Sequence, residues 1–260
     1  ITEISFNEDS SIVIDIDVID IENDTLTYSI TEGINIIAIL DGTQITFSAL
    51  ADFNGSETFT ISVSDGELVD TESFTVNVLA INDAPIASDG SVITNEDQSV
   101  VITLSGSDID GDGLTYSVSD GTDITATVSG FTVTFTATEN FSGSEDFTAT
   151  VTDGSLSGSQ SFTVTVNAVN DAPTLAAVST VTFDEDGSGS TTLVGSDIDS
   201  TDLTYSVSTG TDITASVDGA ALSFTAPADF NGSESFTATV TDGEYTSSQT
   251  FTVTVNAVND

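Results

Sequence analysis

The chain has 260 residues, of which 43 are Asp or Glu and none is Lys, Arg, His or Cys, giving a formal charge of −43. Without basic side chains it has no counter-charge for phosphate or for an anionic bilayer, which excludes nucleic-acid binding and membrane-surface attraction. Without His, Cys or Lys it has no Ser-His-Asp or Cys-His unit, no Schiff base, and no imidazole or thiolate metal site.

Taken in chain order, the first third carries Asn7-Glu8-Asp9, an acidic turn Asp20-Ile21-Glu22-Asn23-Asp24, Leu26-Thr27-Tyr28, Asp52-Phe53-Asn54-Gly55-Ser56-Glu57, Asp65-Gly66 and Asn82-Asp83. The same series returns at offsets of 88 and then 89 residues: Leu114-Thr115-Tyr116 and Leu203-Thr204-Tyr205, Phe141-Ser142-Gly143-Ser144-Glu145 and Phe230-Asn231-Gly232-Ser233-Glu234. A fixed period of this length marks tandem structural units. Asn-Asp-Ala-Pro at 82–85 and 170–173 closes a unit, because Pro ends a strand and stiffens the crossing. The expected domains are 1–83, 84–171 and 172–260. Ile1 matches Asp89 by register, so the first unit lacks counterparts of Ala84 to Ser88, and further units are expected to flank the array.

Within a unit the apolar period is two. In the second, the expected strands are Val92–Thr94, Val100–Leu104, Leu114–Val118, Ile124–Val128 and Phe131–Phe135. Two longer runs follow, in which Phe147, Ala149, Val151 and then Phe162, Val164, Val166 alternate with Thr. Hydrophobic content of 38% with 15 Phe is enough for packed cores. No stretch has a helical period or membrane-spanning length. Seven short antiparallel strands with Gly-, Asp- and Asn-rich turns predict an all-β protein of three immunoglobulin-like sandwiches in a line.

The acids collect in turns and at strand ends, and therefore at the poles of the sandwiches. Asp108-x-Asp110 puts two carboxylates on one side of an extended segment, where one cation is gripped twice. Every available donor is oxygen, which favours a hard cation, and Ca²⁺ tolerates irregular oxygen cages better than Mg²⁺. Solvated acidic turns and halophilic surface charge are the plain alternatives. Neither accounts for stations that recur in register three times. A glycosidase-like carboxylate pair lacks a sugar platform, since Trp is absent, and no enzyme is expected.

On these motifs (N-E-D, D-x-D-x-D with L-T-Y, F-N-G-S-E-x-F-T, V-T-D-G and N-D-A-P) the units resemble the cadherin-like repeats of bacterial adhesins and other large surface proteins. The resemblance implies calcium between consecutive domains. Carried over by position, the first junction would use Glu8, Asp52, Asn82 and Asp83 from above, with Asp108, Asp110 and Asp153 from below; Asn54 stands for the second acid of a pair. The second would use Glu96, Asn170, Asp171, Asp197, Asp199 and Asp242, with Asn140 replacing an acid. Asp20, Glu22 and Asp65 would form half a site facing an earlier unit. Glu185, Asp229, Asn259 and Asp260 would form half a site facing a later one. The pattern departs from cadherins at Ala80, Ala84, Ala168 and Ala172, which implies fewer ions per junction, and the second junction is expected to bind more weakly. The implied role is a calcium-rigidified spacer of a secreted adhesin or surface fibre, with further copies of the repeat as partners. The alternatives are a filament subunit joined by strand donation and a calcium-dependent carbohydrate or homophilic adhesion module.

Overall fold

A computed structural model describes residues 3–88 and 90–259 of the chain. The first repeat has seven strands: β1 Glu3–Asn7, β2 Ser11–Asp15, β3 Thr27–Ile30, β4 Ile36–Asp41, β5 Gln44–Ala49, β6 Gly55–Ser64 and β7 Val69–Leu79. They form a four-stranded sheet, β1-β7-β6-β3, facing a three-stranded sheet, β2-β5-β4. The second and third repeats reproduce both sheets in the same strand order. Each adds a ribbon of two-residue strands, Ile86–Ala87 with Gly106–Ser107 and Thr174–Leu175 with Gly195–Ser196. The sequence period does not reveal these ribbons, because two residues are too few to show an alternation.

The expectation of uniformly antiparallel strands is corrected at one place in every repeat. β1 runs parallel to β7, with Glu3 opposite Thr75 and Asn7 opposite Leu79. Val92–Asn95 lies parallel to Ser157–Asn167, and Val181–Asp184 to Thr246–Asn256. A parallel pair needs a long crossover, which the rest of the sandwich supplies. It also means that a repeat is entered at one pole and left at the other.

Alternation sends one side of each strand inward. Phe59 and Phe74 stand opposite one another on β6 and β7. With Phe47 they form a triad whose ring centroids are 5.2, 6.0 and 6.4 Å apart. Phe135, Phe147 and Phe162 repeat the triad, as do Phe224, Phe236 and Phe251. Edge-to-face and offset contacts of this kind add to the area that the rings bury. Each repeat has its own core cluster.

A carboxylate braces each core from outside. Glu57 accepts hydrogen bonds from the backbone N–H groups of Ile34 (2.9 Å), Asn35 (2.8 Å) and Ile36 (3.3 Å), pinning the loop before β4. Glu145 and Glu234 hold the corresponding loops at Thr122–Ile124 and Thr211–Ile213. The loop passes so close that only glycine fits: a Cβ at Gly121 would lie 2.2 Å from the Ile124 carbonyl oxygen and 2.5 Å from Glu145 Oε2. Gly121→Ala is expected to destabilise the second repeat by about 1–3 kcal/mol through overpacking, measured by urea melts. Burial opposes ionisation of Glu57, but the three backbone donors and the Asn35 side chain outweigh it and hold its pKa below the ordinary value of 4.5. A depressed carboxyl pKa stabilises the fold above the unfolded-state value, and that contribution is lost as pH falls through the folded-state value. Amide exchange at Ile34–Ile36 should therefore quicken as pH is lowered below 4.5, once the intrinsic pH dependence of exchange is removed, and Glu57→Gln should abolish the effect.

Candidate functional site

The parallel pairing of β1 and β7 brings the turn after one strand beside the exit of the other. Glu8 donates its backbone N–H to the Leu79 carbonyl at 3.0 Å. The Glu8 side chain is turned inward, only 4% exposed, and accepts from the Ile81 N–H at 2.6 Å. Asp9 follows in the left-handed region at φ 53°, which Asp tolerates better than most residues. Asp52, likewise left-handed at φ 56°, donates its N–H to Asp9 Oδ1 at 3.3 Å. Glu8, Asp9 and Asp52 thus meet the linker residue Asp83 at the exit pole.

The second repeat contributes from below. Asp110 Oδ2 accepts the Asp83 N–H at 2.8 Å, and Asp153 Oδ2 accepts from the Asn82 amide at 2.7 Å. Asp108 Oδ1 is occupied by the N–H groups of Asp110 and Asp112, so the acidic turn folds around its own carboxylate. Two carboxylate triplets result, Glu8-Asp83-Asp110 and Asp9-Asp52-Asp83, each with one oxygen per residue and all within 4.8 Å of one another. Asn54 is exposed.

The second junction repeats the frame with fewer acids. Glu96 accepts from the Val169 N–H, Asp242 Oδ2 from the Asn170 amide at 2.8 Å, and Asp199 Oδ2 from the Asp171 N–H at 2.7 Å. Asp197 Oδ1 accepts from Asp199 and Ser200. Asn140 occupies the place of Asp52 and donates its N–H to Asp97 at 3.1 Å. Among the described residues, carboxylate triplets of that closeness occur at the first junction only.

The residues assigned to the two array ends are placed within their own repeats. Asp20 accepts from the Asp24 N–H, and Asp65 closes a turn with the N–H groups of Glu67 and Leu68; Glu22 is exposed. Glu185 accepts from the Val258 N–H at 2.7 Å, Asp229 is left-handed at φ 59°, and Asn259 is exposed. Asp260 lies outside the described residues. The motif resemblance does not single out Asp9 and Asp97 as contributors. Their signal in the sequence is the recurrence of the acid after Glu in all three stations, Asp9, Asp97 and Asp186.

The electrostatics are one-sided. Desolvation, then the charges of Asp52, Asp110, Asp9 and Glu8, raise the Asp83 pKa above its ordinary value of 3.8. Desolvation, then Asp199, Asp97, Glu96 and Asp197, raise that of Asp171. A raised carboxyl pKa means that, without a cation, ionisation costs the folded junction stability as pH rises above the unfolded-state value. Asp153 and Asp242 shift the other way, chiefly through the side-chain amides of Asn82 and Asn170. Among the described residues, four carboxylate oxygens are closed to solvent yet lack a hydrogen-bond partner: Asp83 Oδ2, Asp108 Oδ2, Asp171 Oδ2 and Asp197 Oδ2. They lie two at each junction. A buried charge demands a counter-charge, and no side chain of this protein supplies one. Oxygen donors converging on such atoms fit a hard divalent cation.

A model of the bacterial Ig domain matches the chain three times, over residues 1–78, 82–167 and 170–256. No curated relative matches it. Among solved structures, extracellular cadherin domains 1–5 of protocadherin gamma B2 align over 100% of this chain and 59% of that chain, at 18% identity and a TM-score of 0.61. Domains EC22–24 of mouse cadherin-23 align over 99% of this chain and 96% of that chain, at 16% identity and a TM-score of 0.61. At these identities the likeness is one of fold. The chain belongs to the bacterial Ig-domain family, as three tandem cadherin-like repeats.

Proposed function

We propose that the chain is a structural spacer of an extracellular adhesin or surface fibre, stiffened by Ca²⁺ at its inter-repeat junctions. The observation that carries this reading is the set of four solvent-closed carboxylate oxygens without partners, all at the two junctions of a protein with no cationic side chain. At the first junction Glu8, Asp9, Asp52 and Asp83 would hold the ion from above, and Asp108 and Asp110 from below. Asn82 and Asp153 tie the two repeats through their own hydrogen bond. When bound, calcium supplies positive charge that turns repulsion between facing carboxylates into a shared attachment. The protein's role is to hold oxygens from two rigid sandwiches at one place, so that binding fixes one repeat against the next. No chemistry on a substrate is proposed. Neighbouring copies of the repeat are the proposed partners.

Small-angle scattering of the whole chain with calcium and then with chelator tests the reading. Calcium should give the longer maximum dimension and the narrower distance distribution, and identical profiles would refute junction stiffening. Asp83→Asn should weaken calorimetric calcium binding at the first junction while leaving the sandwich melts in chelator unchanged or slightly raised, since it removes a carboxylate that is costly to ionise. Asn140→Asp restores the carboxylate that Asp52 gives the first junction, and should tighten the second on the order of tenfold. An unchanged isotherm would remove Asp52 and its counterpart from the ligand set.

A further inference from the structure

The outer face of the three-stranded sheet is built differently in the three repeats. In the first, β5 runs between β2 and β4, with Val13 and Ile39 both opposite Thr46 and Ile37 opposite Ser48. The alternation that buries Ile36, Ile45 and Phe47 sends these side chains to the other side. Val13, Ile37 and Ile39 are 54, 45 and 59% exposed. Leu50, 48% exposed, extends the patch; its N–H bonds the Asn35 carbonyl at 2.9 Å and carries the pairing past the end of β5.

The same register recurs in the other repeats with other residues. In the second, Thr125, Thr127 and Thr138 match Ile37, Ile39 and Leu50, and Val101 alone remains aliphatic. In the third, Ser190, Thr214 and Ser216 stand where the first has Val13, Ile37 and Ile39. Thr keeps the branched strand preference of Ile and offers water a hydroxyl, so the fold does not require the aliphatic form. Single exposed aliphatics are ordinary, but a contiguous patch across three strands marks an interaction surface. The place of the repeat in the array does not account for it. The second and third repeats each follow another, and their linker strands pair with Gly106–Ser107 and Gly195–Ser196, outside this sheet. Val101, on the same face, is 62% exposed there.

An acidic row borders the patch. One step beyond the row of Val13, Thr46 and Ile39, Gln44 lies opposite both Asp15 and Asp41. Asp15 Oδ1 accepts from the Gln44 amide at 2.9 Å, and both acids are exposed. They stand two strands apart, about 10 Å, so each needs a cation of its own. The second repeat has Thr103 and Ser129 in these places, and so has neither the patch nor the pair.

We propose that this face docks a partner protein whose surface sets two Lys or Arg side chains beside an exposed aliphatic patch. The partner's aliphatics would cover Val13, Ile37, Ile39 and Leu50, and its cations would meet Asp15 and Asp41. Apolar burial supplies the attraction, and the charge pair fixes the orientation. A second copy of these repeats fits the face poorly, because it brings no cation to the acidic row. The inference does not depend on calcium at the junctions.

The test uses the whole chain at about 0.15 M salt, which screens the general charge. The probe is a labelled, cyclised β-hairpin peptide with four aliphatic residues and an adjoining Lys pair on one face. It is compared by fluorescence anisotropy with one hairpin carrying Ser for the aliphatics and another carrying Gln for the lysines. The parent hairpin should bind at least tenfold tighter than either. Ile37→Thr with Ile39→Thr and Leu50→Thr, which copy the second repeat, should weaken it at least tenfold while the thermal melt is kept. Asp15→Thr with Asp41→Ser should bring it down to the affinity of the Gln hairpin. Equal binding of the Ser hairpin would reduce the site to general charge, and unchanged binding by the triple variant would place it elsewhere on the chain. Equal binding of the Gln hairpin would remove the acidic row. Each of these results overturns the proposal, as does absence of binding by the parent. Sedimentation of the chain alone should show a monomer; a dimer that the triple variant dissolves would give the face to a second copy and overturn the proposal as well.

Discussion

The parallel pairing of each repeat's first and last strands is the constraint on which the rest depends. It sets Asn7 beside Leu79, so the residues that follow, Glu8-Asp9 on one strand and Ala80 to Asp83 on the other, leave the sheet at the same pole. Antiparallel pairing would have put those two segments at opposite ends. The hairpin at Asp153 and the turn at Asp108 belong to the entry pole of the next repeat, and Asn82 and Asp83 reach both through hydrogen bonds. One strand pairing thus sets the direction of the array and assembles the acidic cluster from segments more than seventy residues apart.

Net charge has a different meaning at different places. Most of the described acids are exposed to solvent, where water and salt disperse their repulsion. Glu57 and its two counterparts are structural, with backbone donors satisfying a carboxylate beside the core. At the junctions the carboxylates face each other with closed-off oxygens. An acidic residue is thus a turn former, a brace or half of a cage according to what its neighbours donate.

Much of this is legible in the sequence. The repeat, the longer strands and the acidic stations show in residue order because they follow a period of two or a fixed offset. Asp108, Asp110 and Asp153 stand out as recurring acids of a turn and a hairpin, and the cadherin resemblance assigns them to the lower side of a junction. Other features depend on distance in space. Glu57 lies in a recurring motif, yet its loop partners are twenty-one to twenty-three residues away, and no local pattern links them. The direction of β1 relative to β7 is a matter of topology, invisible to alternation. Asp9 is masked in the sequence by its neighbour Glu8, which alone satisfies the resemblance, whereas the left-handed backbone at Asp9 is what turns its carboxylate towards Asp52.

The strand directions also govern how the array carries tension. A pull on the two ends of a repeat acts on the start of β1 and the end of β7, at opposite ends of two strands that lie side by side and point the same way. Their five paired positions, Glu3 to Asn7 against Thr75 to Leu79, are then loaded together in shear and cannot open in succession as a zipper does. The same clasp recurs between Val92–Asn95 and Ser157–Asn167 and between Val181–Asp184 and Thr246–Asn256. With a separate phenylalanine core behind each clasp, the array is a chain of three independent mechanical links in series.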